Sequence, residues 1–129
     1  MRTRFATDSL EGYNNIPLDK INEVSDNELS YIFCDLCINK STNKSYKDDI
    51  RLWVSKLRKG GQINIVGVDL RCLCSEYLYS DDMDGFNSVI EDCNGLFTYK
   101  DVRKTLEELG LKIDSINLNN IYYNIMAVR

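Results

Sequence analysis

The chain of 129 residues contains no histidine. That absence removes every Ser-His and Cys-His nucleophile pair a single chain could assemble, and with it any hydrolase of that design. It also denies a zinc site one of its two usual ligand types. The five cysteines are an odd number, and their spacing does not repair the loss. Cys34 and Cys37 fall at the end of an expected strand, where positions i and i+3 point to opposite faces. Cys72 and Cys74 fall in an expected helix, where i and i+2 also diverge. The reading is therefore reduced, mostly buried thiols and no structural zinc.

Long apolar runs are missing as well. No stretch approaches the length of a bilayer span, and residues 1–12 lack the apolar centre of a secretion signal. This points to a cytoplasmic chain with no membrane partner. There is a single proline, Pro17, and there are no repeats, low-complexity tracts or linkers. One domain over residues 1–129 is expected, long enough to bury a core. Excess positive charge is absent too. With 20 acidic and 16 basic side chains the net charge is −4, which disfavours nucleic acid as a partner. The local run Lys56, Arg58 and Lys59 is expected at a helix C-terminus, where the helix dipole favours cations.

What is present is an alternation of strand and helix signals. Leu29 to Cys34 is aromatic and β-branched enough for a strand, and Asn39 to Lys44 reads as a polar loop. Ser45 with Asp48 has the spacing of a capping box, and Ile50, Trp53, Val54 and Leu57 then share a helical face. Gly60-Gly61 supplies a left-handed stop, and Gln62 to Val68 reads as a buried strand. Strand, helix and strand in this order favour parallel pairing with a right-handed crossover.

Leu70 to Tyr79 is expected to be helical, Asp81 to Gly85 an acidic loop, and Phe86 to Cys93 a short helix. A second capping box, Thr98 with Asp101, opens a helix through Val102, Leu106 and Leu109 that Gly110 ends. Leu111 to Leu118 and Ile121 to Val128 form two strands joined at Asn119-Asn120, an antiparallel hairpin. Ser80, Asp82, Asp84, Gly85 and Glu91 fit the spacing of a calcium loop, but Ser80 stands where an aspartate belongs. A solvated acidic loop is the preferred reading.

The order helix, Gly60-Gly61, strand, Val68-Asp69, capped helix ending in Leu109-Gly110, then a final hairpin resembles the class I methyltransferases that use S-adenosylmethionine. The likeness is to their small members and covers about residues 24–129. It implies a truncated Rossmann-like α/β fold, mostly parallel with a C-terminal antiparallel hairpin and helices on its faces. Upstream, Leu10, Gly12, Tyr13 and Asn15 are similar to the family's second strand. That alignment implies that Arg4, Phe5 and Ala6 stand where the family has its cofactor glycines. Pro17 stands where the family has the acid that bonds the ribose. The glycines admit close backbone approach and the acid binds hydroxyls, so their loss weakens the cofactor site. The family's Leu-Glu-His after its fourth strand is replaced by Ile38-Asn39-Lys40, which removes a general base.

Two functions of different class follow. One is a methyltransferase-fold protein that binds no S-adenosylmethionine in the normal way, takes no other cofactor, and serves as a binding or assembly module. Its partner would be another protein or a second copy, and Tyr77, Tyr79, Tyr99, Tyr122 and Tyr123 could supply an interface or simply core. The other is an active minimal methyltransferase using S-adenosylmethionine, alone or completed by a partner subunit. In that case Asp35, Cys37 and Asn39 would line the acceptor side of the cleft. Against this, the preferred reading of Asp35 and Asn39 is as caps of the loop and following helix. A trimmed version of a common enzyme fold would suit a compact genome, a viral one among them.

Overall fold

The computed structural model describes residues 2–41 and 45–129. In chain order the elements are β1 (Arg2–Ala6), β2 (Tyr13–Pro17), a 3-10 helix (Leu18–Glu23), β3 (Leu29–Asp35), α1 (Cys37–Lys40), α2 (Tyr46–Lys56), β4 (Leu57–Val68), α3 (Leu70–Tyr77), α4 (Met83–Glu91), α5 (Tyr99–Glu108), β5 (Lys112–Asn119) and β6 (Tyr122–Val128). The strands form one sheet in the order β2-β1-β3-β4-β6-β5. The first four are parallel neighbours, β6 runs antiparallel to β4, and β5 runs antiparallel to β6. The expected mostly parallel sheet with a C-terminal hairpin is thus the observed one.

Strand alternation divides the sheet into two unlike faces. Phe5, Ile32, Cys34, Ile63, Ile65, Ile125 and Ala127 point to one side and are buried together with Ile50, Trp53 and Val54 of α2 and Val102 and Leu106 of α5. α2 and α5 touch each other over this face, and the 3-10 helix adds Ile21. The opposite face carries Arg2, Arg4, Tyr31, Phe33, Asn64, Val66, Asn124 and Met126 in register. Most of these side chains stay half-buried. α3 and α4 pack on each other and meet the sheet at its C-terminal end, where Val68, Leu73 and Ile121 form a second small cluster.

Several local expectations need correction. α2 ends at Lys56, and Leu57 is already extended, so Gly60-Gly61 does not stop the helix. The pair lies inside β4, where Gly60 adopts φ +78° and the register against β3 slips. The Gly60 amide donates to the Arg129 carbonyl at 2.8 Å, and the Arg129 amide donates to the Gly61 carbonyl at 3.0 Å. A glycine is needed there to let β4 bend while the chain's last residue still pairs with it. Arg58 and Lys59 accordingly sit exposed on the strand, and Lys56 alone remains in the helix, paired with Asp26 at 2.7 Å. Ser45 is the N-cap of α2 but its side chain accepts no capping bond.

α4 begins at Met83, so the acidic segment is mostly helix. Asp82 caps it by accepting from the Gly85 amide at 2.9 Å. Glu91 ends the same helix, which takes the calcium spacing apart. Of the polar run after β3, Cys37 to Lys40 is helical, while Thr42 to Lys44 lie outside the described residues. The Thr98 and Asp101 capping box is formed in full, and Gly110 follows α5 at φ +86°. The hairpin turn uses Asn120 at φ +59°, and β5 carries a bulge between Ile113 and Ser115.

Candidate functional site

The parallel strands end together near Ala6, Pro17, Asp35 and Val68, the edge at which open α/β sheets bind ligands. β1 and β2 are joined by residues 7–12 alone, although they lie parallel. No helix is placed between them, and Arg4 takes over the organisation of this corner. Its side chain is 4% exposed, and all five guanidinium N–H groups are engaged. Nε and Nη2 donate to Asp35 Oδ2 at 3.1 and 2.6 Å. Nη2 also donates to Asp8 Oδ1 at 2.7 Å, and Nη1 donates to the Asp8 carbonyl at 3.0 Å and to Asn15 Oδ1 at 3.1 Å. Asn15 in turn donates from Nδ2 to the carbonyls of Leu10 and Tyr13 and accepts from the Leu10 amide. The return loop is thus stitched to the sheet through one cation.

The electrostatics follow from that geometry. Burial works against the Arg4 charge, but the bonds from Asp35 and Asp8 outweigh it and raise its pKa. The Arg4 hydrogen bond and charge hold the Asp8 carboxyl below its ordinary value. An arginine has no acceptor and no sixth donor, so Arg4 has no hydrogen-bonding capacity left for a ligand.

The other expected site residues separate. Phe5 is fully buried in the core on the face opposite Arg4, so it does not enter the C-terminal edge. Ala6 is buried at the strand end, and Pro17 is exposed at the end of β2. Cys37 is buried and donates from Sγ to the Phe5 carbonyl at 2.7 Å. Leu36 takes a left-handed conformation, φ +59°, ahead of α1, and Cys37 is buried in the same core cluster as Cys34. The two thiols therefore lie in one core rather than on opposite faces, and burial, then the neighbouring Cys37, pushes the Cys34 thiol well up. Among the described residues no group of three or more metal-ligating side chains forms.

Asn39 is 1% exposed and holds three segments together. Its Oδ1 accepts from the Val68 amide at 2.8 Å, and its Nδ2 donates to the Gly95 carbonyl at 2.9 Å. It also borders a small pocket of about 80 Å³ with Leu36, Val89 and Tyr122. Asp35, Cys37 and Asn39 lie close in the chain yet spend their polar atoms on different structural partners.

Two residues were not read from the sequence. Asp69, 1% exposed, directly follows β4 and caps two helices at once. It accepts from the Cys72 amide of α3 at 2.9 Å and from the Tyr99 amide of α5 at 2.7 Å. The Val-Asp signal that carried the resemblance contains it, but only the fold brings Tyr99 to it. Asp19, two residues beyond Pro17, borders a cleft of about 500 Å³ with Thr7, Leu18, Asn22, Lys40 and Leu52. An acid close after β2 was legible, had the alignment been slid by two positions.

These residues do not fit S-adenosylmethionine in the family's placement. In the alignment that the resemblance implies, Arg4, buried in a closed hydrogen-bond cluster, takes the place of glycine backbone, and Pro17 takes the place of the ribose acid. No protein-family model matches the chain, and no curated protein is similar to it in sequence. Solved structures are. An S-adenosylmethionine-dependent methyltransferase from Thermotoga maritima aligns over 91% of this chain and 64% of its own, at 13% identity and TM-score 0.64. A complex of the Haloferax volcanii Trm112 methyltransferase activator with a protein assigned as a methyltransferase aligns over 94% and 63%, at 7% identity and TM-score 0.64. A methyltransferase from Aquifex aeolicus aligns over 81% and 47%, at 10% identity and TM-score 0.53. The chain spans about half to two thirds of the length of these proteins. Sheet order, hairpin and these alignments together give the chain the fold of the class I S-adenosylmethionine-dependent methyltransferases, in a shortened form.

Proposed function

We propose that this chain is a methyltransferase-fold protein that works without methylating, as a binding or assembly module. The observation that carries the reading is the saturated Arg4 cluster. A cofactor bound as in the family would have to displace an arginine holding five hydrogen bonds. Displacing it would leave the buried guanidinium without its carboxylate partners, which is unfavourable. The structural uses of Asp35, Cys37 and Asn39 support the same reading, because none is left poised toward an acceptor. Fold alone does not decide activity. The Haloferax volcanii complex supports a protein partner as one way in which a protein of this fold operates.

Calorimetric titration with S-adenosylmethionine at near-millimolar concentration tests the proposal. No binding heat is expected. A dissociation constant in the micromolar range would overturn it in favour of a minimal methyltransferase, with the cleft beside Asp19 as the place for the cofactor. Transfer of label from the donor to any acceptor would do the same.

A further inference from the structure

Helices α3 and α4 pack on each other at the C-terminal end of the sheet, yet they leave much of their apolar surface uncovered. On α3 Leu73 is buried, while Cys74 and then Leu78, on the adjoining stripe, are exposed. α4 buries none of its side chains. Phe86, Val89 and Cys93 lean on the Leu73 cluster, and Met83 and Ile90, one stripe further round the helix, face water. Leu78 is 66% exposed, Met83 55% and Tyr79 96%. Where the two open stripes meet, Cys74, Tyr77, Leu78, Met83 and Phe86 line a groove of about 260 Å³, with Tyr77 edge-on to Phe86 at 5.6 Å.

Carboxylates accompany these apolar residues along the chain. From Cys72 to Tyr99 there are six acidic residues and no lysine or arginine. Glu76, Asp81, Asp82 and Asp84 alternate with the groove residues in sequence. All four are exposed, and none makes a salt bridge among the described residues. Lys40 lies toward the other end of α4, beside Asp92 and Cys93. An apolar groove with unpaired acids about it selects its occupant by charge. Nucleic acid, an anionic lipid surface and a second copy of the same groove are all repelled. The volume is below the about 300–1,000 Å³ of small-molecule pockets, and suits inserted side chains better than a whole metabolite.

We propose that the groove docks a basic amphipathic helix of a protein partner. Apolar residues at i, i+3, i+4 and i+7 of that helix enter between α3 and α4, and lysines or arginines beside them meet Glu76, Asp81 and Asp84. Asp82 keeps its cap bond to the Gly85 amide. The inference rests on the binding-module reading above and names the surface and the chemistry of its partner.

The probe is a synthetic peptide of two Leu-Lys-Lys-Leu-Leu-Lys-Leu repeats, titrated into the whole chain with isotope-labelled methionine methyl groups. Its control has the same composition with the leucines spread evenly round the helix. Micromolar binding is expected, with the Met83 methyl resonance shifting and that of Met126, on the open sheet face, staying in place. Leu78→Ser with Met83→Gln, both at exposed positions, should weaken binding about tenfold and keep the wild-type unfolding midpoint. Asp81→Asn with Asp84→Asn should weaken it about tenfold at low salt, and the gap should close in high salt. Glu108→Gln with Asp114→Asn, on α5 and β5, should change it less than about twofold. The inference is overturned by no binding below about 1 mM, by a shift of Met126 in place of Met83, or by equal binding of the control peptide. Equal loss from the Glu108 and Asp114 pair, or a wild-type dimer that Leu78→Ser with Met83→Gln dissolves, would overturn it too. Titration of the same sample with S-adenosylmethionine separates the two claims. Cofactor binding defeats the non-catalytic reading and leaves the groove standing, whereas failure of the peptide alone defeats the groove and leaves that reading.

Discussion

Arg4 and Tyr123 show how much a single side chain decides here. Replacing Arg4 by alanine leaves Asp35 without its partner, yet Asp35 keeps a quarter of its surface in water and Asp8 remains exposed. We expect a loss of about 2–3 kcal/mol, below the full cost of breaking a buried pair, read as a lower urea midpoint. Tyr123 is 1% exposed, and its hydroxyl has no partner among the described residues. Its ring crosses Gly67, the residue opposite it on β4, and a Cβ there would collide with the phenol. Tyr123→Phe should therefore be neutral or stabilise by up to about 1 kcal/mol, since it removes an unpaired buried hydroxyl. Gly67→Ala should destabilise by about 1–3 kcal/mol through overpacking. If Gly67→Ala unfolds at the wild-type denaturant concentration, the ring is not fixed against β4.

Among the elements, α3 and α5 depend on one carboxylate. Asp69→Ala removes the acceptor for two helix N-termini and should cost about 2–4 kcal/mol, roughly the sum of two caps. Hydrogen exchange would show faster protection loss in the first turns of both helices, and an effect confined to one would refute the shared cap. Most elements were legible in the sequence, because helix periodicity, the Thr98 box and the final hairpin are local signals. The errors cluster where a distant partner decides. Gly60-Gly61 resembled a helix stop but is bent strand because Arg129 pairs with it. Ser45 has capping spacing without the bond, and Cys37 joins Cys34 in the core after Leu36 turns left-handed. At the site, the alignment put Arg4 and Phe5 at the same cofactor corner. Strand alternation sends one to that corner and the other to the core, and no local pattern revealed that Arg4 would find Asp35 thirty-one residues away.

Over the whole molecule, protonation sets an asymmetric window of stability. Burial, with the contact to Cys37, raises the Cys34 thiol; burial also raises the thiols of Cys93 and Cys72. The Tyr123 phenol is pushed up as well, by burial and then by Asp69. The folded chain keeps protons that the unfolded chain releases above about pH 8.5 for thiols and about pH 10 for the phenol, so stability is full below that range and falls as pH rises through it. Asp8 acts in the opposite sense: its contribution is present above about pH 3.9 and is lost as pH falls through its lowered value. Urea midpoints should decline steadily from about pH 8 to pH 11, and a flat profile would contradict the burial of these groups.

The bulge between Ile113 and Ser115 has a consequence at this scale. It sits on β5, one of the two outer strands, while the other, β2, ends in Pro17, which has no amide to donate. Both outer strands are therefore poor templates for a further strand. Growth by adding sheets side to side, the route to fibrils, is blocked at each end. The sheet is therefore shaped to end at six strands.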